Sequence, residues 1–189
     1  HRGLWIYQGV IQNERGHQMR VSEFVKWIYP QAKKMGEIDP VFVTAQAALE
    51  SGWGKSAIGN NLFGITKGST WKGAVQLVNT TEYFSRSDVT FKAPEKVMSV
   101  TKIGEKRYKY AVKRLFRDYD SVADCLTDHL AILKKPGYTD AWPYRKDARQ
   151  YVRKIVDNIG SKYATSPDYV QTMDKVFRMV ENTVLSERL

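Results

Sequence analysis

The sequence predicts an α+β fold, a mainly helical domain with a small antiparallel β-lobe, and three observations support this. Apolar residues recur at helical spacing over residues 21–50, and again in three stretches over residues 122–180. Between these regions, from about residue 71 to residue 119, β-branched and aromatic residues come in short runs separated by turn residues. No repeat, low-complexity tract or linker interrupts the chain. We therefore expect an N-terminal arm over residues 1–20 and a single domain over residues 21–189.

The first two helices are predicted from their end signals. Helical spacing begins at residue 22, and Gly36 is expected to end that helix. Asp39 is a good N-cap residue and Pro40 a good first-turn residue, so a second helix is expected to begin there. The second helix is almost wholly apolar up to Glu50, which predicts that it is buried.

The β-lobe and the later helices follow from composition and periodicity. Candidate strands lie at residues 75–78, 80–84, 89–92, 97–103 and 108–116. Turn residues at 85–88 and 104–105 indicate antiparallel hairpins. Further helices are predicted at residues 122–133 and 148–159, and from Pro167, with Ser166 as its cap, to about Val180.

Composition excludes several classes of protein. The chain has 189 residues, of which 42% are hydrophobic and 26% charged, as in globular domains and unlike disordered or fibrous chains. No stretch approaches the ~20 apolar residues of a membrane span, so we expect no integral membrane segment. Because the chain begins with His1 and lacks the regions of a signal peptide, we expect a processed product or an excised domain.

The chain is strongly basic. Its 30 Lys and Arg residues against 20 Asp and Glu residues give a net charge of +10, which favours polyanionic partners such as nucleic acid, anionic lipid or the bacterial cell wall. No zinc-finger spacing, phosphate-binding loop or RNA-binding motif is present, so we expect no nucleic-acid partner. Cys125 has no second cysteine to pair with, and the three histidines are scattered, so we expect neither a metal nor a cofactor.

Glu50 is the most informative residue of the sequence. It is the only carboxylate in its helix and lies in the last turn, where the negative end of the helix dipole disfavours ionisation. Burial would disfavour ionisation further, so both effects predict a raised pKa, as a general acid requires. An isolated Glu at a helix end more often faces solvent or binds backbone amides. Here Glu50 comes shortly before Trp53, and Gly52 and Gly54 on either side of that tryptophan allow a tight turn. This context favours a functional role for Glu50.

The residues around Glu50 resemble a known family. Ala45 to Gly54, reading AQAALESGWG, and Asn60 to Ile65, reading NNLFGI, are similar to the signature of the bacterial and phage glucosaminidase domains of glycoside hydrolase family 73. The similarity continues in the same order through WKG at 71–73, TTEY at 80–83, FRDYDS at 116–121 and YATSPDY at 163–169. The resemblance as a whole covers roughly residues 22 to 184.

The resemblance implies a lysozyme-like fold that hydrolyses the β-1,4 bond after N-acetylglucosamine in peptidoglycan. Glu50 matches the catalytic acid of the family, Glu82 its proposed second carboxylate and Tyr163 an active-site tyrosine. Glu82 would activate a water; alternatively the 2-acetamido oxygen of the substrate would attack, with Tyr163 near the anomeric centre. The sequence leaves both routes open.

The region after Glu82 is longer than the resemblance leads us to expect, with 34 positions from Glu82 to Phe116. Asp88, Glu95 and Glu105 therefore remain alternatives to Glu82 as the second carboxylate. A structural reading is a cross-strand ion pair between Glu82 and a Lys or Arg.

Several residues near the matched blocks are candidates for substrate contacts. Aromatic rings can stack on sugars, and amides can bind acetamido or hydroxyl groups, although in a domain of this size aromatic residues more often belong to the core and asparagines to turns. The candidates are Trp53, Asn60, Asn61, Phe63, Trp71, Tyr83 and Tyr169.

The sequence thus predicts a metal-free endo-β-N-acetylglucosaminidase that acts at the cell wall as a monomer. The alternative enzymes are a lytic transglycosylase or a muramidase that uses the same Glu50. The alternative from another class is a wall-binding module without activity.

Overall fold

Five helices and three strands make up the computed structural model, which describes residues 19–159 and 168–189. Helices α1 (Val21–Met35) and α2 (Pro40–Ser51) are followed by strands β1 (Val75–Phe84), β2 (Lys96–Gly104) and β3 (Arg107–Arg117), and then by helices α3 (Val122–Leu133), α4 (Ala148–Ile159) and α5 (Tyr169–Glu187). Two single-turn 3-10 helices, Pro136–Tyr138 and Trp142–Tyr144, lie between α3 and α4. The predicted α+β class is confirmed. The predicted arm over residues 1–20 lies, except for its last two residues, outside the described part of the chain.

Helix α2 lies at the centre of the helical lobe. Its residues from Phe42 to Ala48 are all buried, and it contacts α1, α4 and α5. A helix that is apolar on every side reaches its lowest free energy only when it is surrounded by protein. The last turn of α2, which carries Glu50, is therefore held against the core.

One carboxylate caps two helices. The Oδ1 atom of Asp39 accepts a hydrogen bond from the backbone N–H of Val41 at 3.0 Å, and its Oδ2 atom accepts one from the N–H of Ala148 at 2.9 Å. The backbone N–H of Asp39 donates to the carbonyl of Arg145 at 2.8 Å. The N-cap predicted at Asp39 is confirmed, and the same side chain also ties the start of α4 to the start of α2.

The helix ends follow the sequence signals with one exception. Gly36 ends α1 in the left-handed conformation with φ of 77°, and Ser121 caps α3 by accepting from the N–H of Asp124. Helix α5 begins at Tyr169 and not at Pro167, because Asp168 adopts a turn. Ser166 and Pro167 themselves lie outside the described residues.

The sheet has the order β1-β3-β2 with antiparallel pairing throughout. Strands β1 and β3 pair from Val75↔Arg117 to Phe84↔Tyr108 without interruption. Strands β2 and β3 form a hairpin whose register shifts between residues 97 and 99 and between residues 102 and 104. The predicted runs 75–78 and 80–84 are thus parts of one continuous strand.

The predicted strand at residues 89–92 is wrong. These residues belong to the connection between β1 and β2, which is held against one face of the sheet. The hydroxyl of Tyr110 donates to the carbonyl of Arg86 and accepts from the N–H of Val89, and the ring of Phe91 lies 6.2 Å from that of Phe84. The apolar residues that indicated a strand pack on the sheet and do not pair with it.

A buried ion pair joins the sheet to the helical lobe. The Arg117 side chain, at the end of β3, donates from Nη1 to Asp128 Oδ2 on α3 at 2.9 Å. The hydroxyl of Tyr119 donates to the same oxygen at 2.5 Å, and Arg117 Nε donates to the carbonyl of Thr66 at 3.1 Å. Arg117 is only 2% exposed, so these bonds are needed to offset the cost of burying its charge.

Candidate active site

Glu50 lies in the last turn of α2 with its side chain partly exposed. Burial raises the pKa of Glu50 from its ordinary value of 4.5 to about 8. The C-terminal end of the helix dipole acts in the same direction. The raised pKa expected from the sequence is therefore found in the structure, and the carboxyl is mainly protonated at neutral pH.

The chain turns away from Glu50 through three consecutive residues with positive φ. The φ angles are 56° at Gly52, 55° at Trp53 and 90° at Gly54. For a bulky residue such as Trp53 the left-handed conformation costs about 1–2 kcal/mol. The Oγ atom of Ser51 supports the turn, because it donates to the carbonyl of Ala47 at 2.7 Å and accepts from the N–H of Gly54 at 3.0 Å.

A chain of buried polar groups runs behind Glu50. Gln46 lies one turn before Glu50 in α2, and its Nε2 atom donates to the hydroxyl of Tyr169 at 3.1 Å. The other amide atom, Oε1, lies 2.6 Å from Nε2 of His129. Burial lowers the pKa of His129 to about 3, so the ring is neutral and donates from Nε2 to this oxygen. The ring also stacks on Phe63, with 3.8 Å between the ring centroids.

Tyr169 lies close to Glu50. Burial raises the pKa of Tyr169, and the negative charge of ionised Glu50 raises it further. Tyr169 is 9% exposed, so little of its ring is open to a ligand. The structure thus brings together Glu50 and Tyr169, and it adds Gln46 and His129, which the sequence analysis did not place in the site. One signal was present, because Gln46 is a polar residue four positions before Glu50 in an otherwise apolar helix.

The β-lobe carries two carboxylates that share one arginine. Arg114 on β3 forms ion pairs with Glu82 on β1, through Nη1, and with Glu95, through Nε at 2.6 Å. Glu95 also accepts from the N–H of Leu115 at 2.9 Å, and the guanidinium lies 4.4 Å from the ring centroid of Phe91. The cross-strand ion pair considered for Glu82 is therefore present. The sequence offered both carboxylates but not the arginine that joins them.

Trp71 packs against the side chains of Tyr119 and Arg117, at the end of β3. Its Nε1 atom donates to the carbonyl of Ala74 at 2.8 Å, its ring meets that of Tyr119 edge to face at 5.6 Å, and the guanidinium of Arg117 lies 4.8 Å from its ring. A Cβ atom at Gly73 would lie 2.4 Å from the indole, so only glycine fits beside this ring. Trp71 remains partly exposed and available to a ligand.

Two candidates for substrate contact are structural residues. Phe63 is fully buried under His129, so it cannot stack on a sugar in this conformation. Asn61 is 1% exposed: its Nδ2 atom donates to the carbonyls of Ile65 and Arg117, both at 2.9 Å, and its Oδ1 atom accepts from the N–H of Ile65. The substrate contacts predicted for both are therefore wrong, because a local sequence pattern does not distinguish a buried side chain from an exposed one.

The other candidates are placed as follows. Trp53 is partly buried, with its ring edge to face against Phe24 at 5.6 Å. Asn60 is partly exposed and donates to the carbonyl of Tyr119 at 2.9 Å. Tyr83 is partly exposed beside the guanidinium of Arg107, at 5.1 Å from the ring centroid. Tyr163 lies outside the described residues.

Within residues 19–159 and 168–189 there is no group of three His, Cys, Asp or Glu side chains that could hold a metal ion. Cys125 and His129, four residues apart on α3, are both buried. Burial raises the pKa of Cys125 to about 12, which leaves its thiol protonated. In the same described residues, no helix is both long enough and apolar enough to cross a membrane.

Comparison with known proteins relates most of the chain to wall hydrolases. A family model described as mannosyl-glycoprotein endo-beta-N-acetylglucosaminidase matches residues 26–182. The peptidoglycan hydrolase FlgJ of Pseudomonas aeruginosa is 30% identical over 182 residues, 88% of this chain and 39% of that protein. A probable N-acetylmuramidase of Lactococcus lactis subsp. cremoris is 28% identical over 166 residues, 81% of this chain and 32% of that protein. The chain thus spans less than half the length of these two relatives.

Solved structures give the same relationship. A peptidoglycan hydrolase mutant from Sphingomonas sp. A1 superposes with a TM-score of 0.63 at 27% identity, covering 87% of this chain and 99% of that one. The glycoside hydrolase domain of Salmonella typhimurium FlgJ superposes with a TM-score of 0.61 at 25% identity, covering 90% and 92%. The lysozyme-like α+β fold predicted from the sequence is confirmed.

Substitution of Asn61 by alanine is expected to destabilise the protein. It removes three hydrogen bonds and leaves the buried N–H of Ile65 without its acceptor, which costs roughly 2 to 4 kcal/mol of unfolding free energy. The carbonyls of Ile65 and Arg117 each keep one bond, from the N–H of Arg117 and from the side-chain amide of Gln76. Asn60→Ala, which removes one bond from a partly exposed residue, is the control and should cost less than about 1 kcal/mol. Urea unfolding measures both values, and equal stability of the two variants would contradict the structural role of Asn61.

Glu50 is expected to make the protein less stable as the pH rises. Between its ordinary pKa of 4.5 and its folded pKa of about 8, the folded protein keeps a proton that the unfolded chain has lost. The free energy of unfolding should therefore fall by roughly 2 to 4 kcal/mol from this group across that range. Urea unfolding at several pH values should show that Glu50→Gln lacks this fall, whereas Glu105→Gln, at an exposed turn, keeps it. A wild-type pH dependence in Glu50→Gln would contradict the burial of the carboxyl.

Proposed function

Because this chain belongs to the glucosaminidase family, we propose that it hydrolyses the β-1,4 glycosidic bond after N-acetylglucosamine in peptidoglycan, with Glu50 as the general acid. The observation that carries this proposal is the pKa of Glu50, which burial raises to about 8 at the end of α2. A carboxyl that keeps its proton at neutral pH can protonate the leaving glycosidic oxygen. Glycoside hydrolysis requires such a group, and a wall-binding module would not.

The buried network supports this role by fixing Tyr169 close to Glu50. A general acid must hold its proton within hydrogen-bond distance of the leaving oxygen, so its side-chain orientation matters. The Gln46 amide donates a hydrogen bond to the Tyr169 hydroxyl and is itself bonded to His129. These two bonds fix the position of the Tyr169 hydroxyl. We therefore assign Tyr169 a positioning role toward Glu50, in place of the substrate contact predicted from the sequence.

The oxocarbenium centre that develops in the transition state needs a second group. Glu82 is our candidate for the base that activates water; its carboxylate is paired with Arg114, so it must exchange part of that ion pair for a water before it can act. The alternative is attack by the 2-acetamido oxygen of the substrate, assisted by Tyr163. Glu95 is our first alternative to Glu82 as that base, ahead of Asp88 and Glu105, because it binds the same Arg114.

Trp71, Trp53 and Asn60 remain our candidates for contacts with the sugars in the cleft. Tyr83 follows Glu82 on β1 and therefore lies on the other face of the sheet, where it is a candidate for a sugar contact outside the cleft. Each keeps a partly exposed side chain. Trp71 is the strongest of them, since its ring is held against Tyr119 and Arg117 and is still partly exposed.

With peptidoglycan as its substrate, the proposed enzyme acts at the cell wall. We propose that it acts there as a monomer.

A second candidate function is cleavage of the neighbouring bond, after N-acetylmuramic acid. The similarity to a probable N-acetylmuramidase of Lactococcus lactis favours it. A muramidase leaves reducing-end muramic acid, and a lytic transglycosylase leaves an anhydro-muramyl end, so the product alone separates the three activities.

We expect the wild-type protein to release fragments with reducing-end N-acetylglucosamine from purified peptidoglycan. Glu50→Gln should lower the rate at least about a thousandfold, because the amide keeps the shape of the side chain but cannot donate the proton. Mass spectrometry of the soluble fragments, with and without borohydride reduction, measures both rate and product. Reducing-end muramic acid would show a muramidase instead, and anhydro-muramic acid a lytic transglycosylase. Near wild-type turnover by a folded Glu50→Gln would exclude Glu50 as the acid.

Glu82→Gln and Glu95→Gln form a matched pair in the same assay. Their carboxylates are 18% and 19% exposed and share Arg114, so the two substitutions should cost similar stability. Loss of turnover in Glu82→Gln alone would support Glu82 as the base, and loss in Glu95→Gln alone would move that role to Glu95. Near wild-type turnover in both would support the substrate-assisted route.

Tyr169→Phe is expected to lower kcat about tenfold with KM changed less than about twofold, because it disturbs Glu50 and not substrate binding. Tyr151→Phe is the control, since Tyr151 is a buried tyrosine on α4 whose ring packs on Phe42. Steady-state kinetics on soluble glycan fragments gives both constants. A raised KM with an unchanged kcat would instead make Tyr169 a substrate contact.

A further inference from the structure

One face of the sheet is open to solvent and carries lysines in a regular array. The pairing register places three cross-strand rows on this face: Asn79–Lys113–Lys96, Thr81–Ala111–Ser99 and Tyr83–Lys109–Thr101. We call it the lysine face, after Lys96, Lys109 and Lys113. Lys96 and Lys109 are exposed, and the polar residues around them are exposed or partly exposed. The opposite face carries Glu82, Arg114 and the covering segment at residues 85–95.

The lysine face has positive charge without compensation. None of its three rows contains a carboxylate, and among the described residues no ion pair involves Lys96, Lys109 or Lys113. Lys96 and Lys113 are direct cross-strand partners. Like charges in directly opposite positions destabilise a sheet, so this arrangement has a cost in the isolated protein. A bound polyanion would remove that cost.

From this register and charge we infer that the lysine face is a docking surface for anionic glycan strands of the bacterial wall, separate from the cleft. The inference rests on the proposed function, since the peptide carboxylates of peptidoglycan supply the negative charges. Ammonium groups would pair with those carboxylates, and the Ser, Thr and Asn side chains between them would bind sugar hydroxyls. Lys109 and Lys113 are four residues apart on one strand, which separates their Cα atoms by about 13 Å.

The position of the face determines what it can hold. Alternate residues of a β-strand point to opposite faces of the sheet, so Glu82 points away from the glycan strand that docks on the lysines. The docked strand is therefore a neighbour of the strand being cut, and docking would keep the protein on its insoluble substrate between cleavage events. Single-stranded nucleic acid is a poorer fit, because the one aromatic ring in the three rows, Tyr83, already lies against Arg107.

The test measures sedimentation of the protein with purified insoluble peptidoglycan, freed of accessory polymers, in the Glu50→Gln background so that the wall is not degraded. The triple variant Lys96→Gln, Lys109→Gln and Lys113→Gln is expected to bind about tenfold more weakly at about 0.1 M salt, and the difference should shrink at high salt. The control triple Lys33→Gln, Lys34→Gln and Lys175→Gln removes the same charge from exposed helix positions and should change affinity less than about twofold.

A further variant separates binding from folding. Thr101→Glu adds a carboxylate directly opposite Lys109, which should stabilise the hairpin while it weakens wall binding several-fold. Loss of wall binding in a variant that is at least as stable as the parent cannot result from unfolding. Wall binding by Thr101→Glu and by the lysine-face triple equal to that of the control triple would overturn the inference.

Two more measurements distinguish this inference from the proposed function. In the background that keeps Glu50, hydrolysis of short soluble fragments should proceed in the lysine-face triple as in the control triple, because such fragments need only the cleft. If the soluble fragments are hydrolysed and the lysine-face triple binds the wall as tightly as the control triple, the docking surface alone is overturned. If the wild type hydrolyses nothing, the proposed function is overturned. Loss of single-stranded DNA binding in the lysine-face triple, with wall binding unchanged, would reassign the face to nucleic acid and overturn the inference.

Discussion

The burial of α2 among the other helices is the constraint on which the candidate site depends. Because this helix is surrounded by α1, α4 and α5, its last turn holds Glu50 where water cannot fully solvate a negative charge. The pKa of Glu50 rises to about 8 for that reason. The same burial that keeps this carboxyl protonated at neutral pH lowers the free energy of unfolding at alkaline pH.

The polar groups behind Glu50 show how such a site is kept in one geometry. Gln46 is 83 positions from His129 and 123 positions from Tyr169 along the chain, so the network forms only when α2, α3 and α5 have packed together. Each buried polar atom in it has to find its partner, because an unpaired one would cost the protein about 1–3 kcal/mol. The same packing that buries Glu50 therefore also fixes its surroundings, which couples the proposed catalytic competence to complete folding of the helical lobe.

The β-lobe separates two kinds of electrostatics on its two faces. On one face Arg114 forms ion pairs with Glu82 and Glu95 in a partly buried cluster. On the other face lysines stand without carboxylates and are turned to solvent. The alternation of side chains along β1 and β3 produces this division, since neighbouring residues point in opposite directions. A proposed catalytic carboxylate and a proposed docking surface can thus share one small sheet without competing for the same charges.

The sequence by itself determined the α+β class, the helix ends at Gly36 and Asp39, and the position of Glu50 at the end of α2 where the dipole favours its protonated form, because each follows from local spacing, capping and the helix dipole. Only the tertiary structure decided the rest. It buried Phe63 and Asn61, which the sequence had offered to the substrate, it turned residues 89–92 into a packed connection, and it joined Glu82 and Glu95 through Arg114. The physical reason is that burial and ion pairing depend on residues far apart in the chain, so no local pattern of residues specifies which side chain meets solvent and which meets a partner.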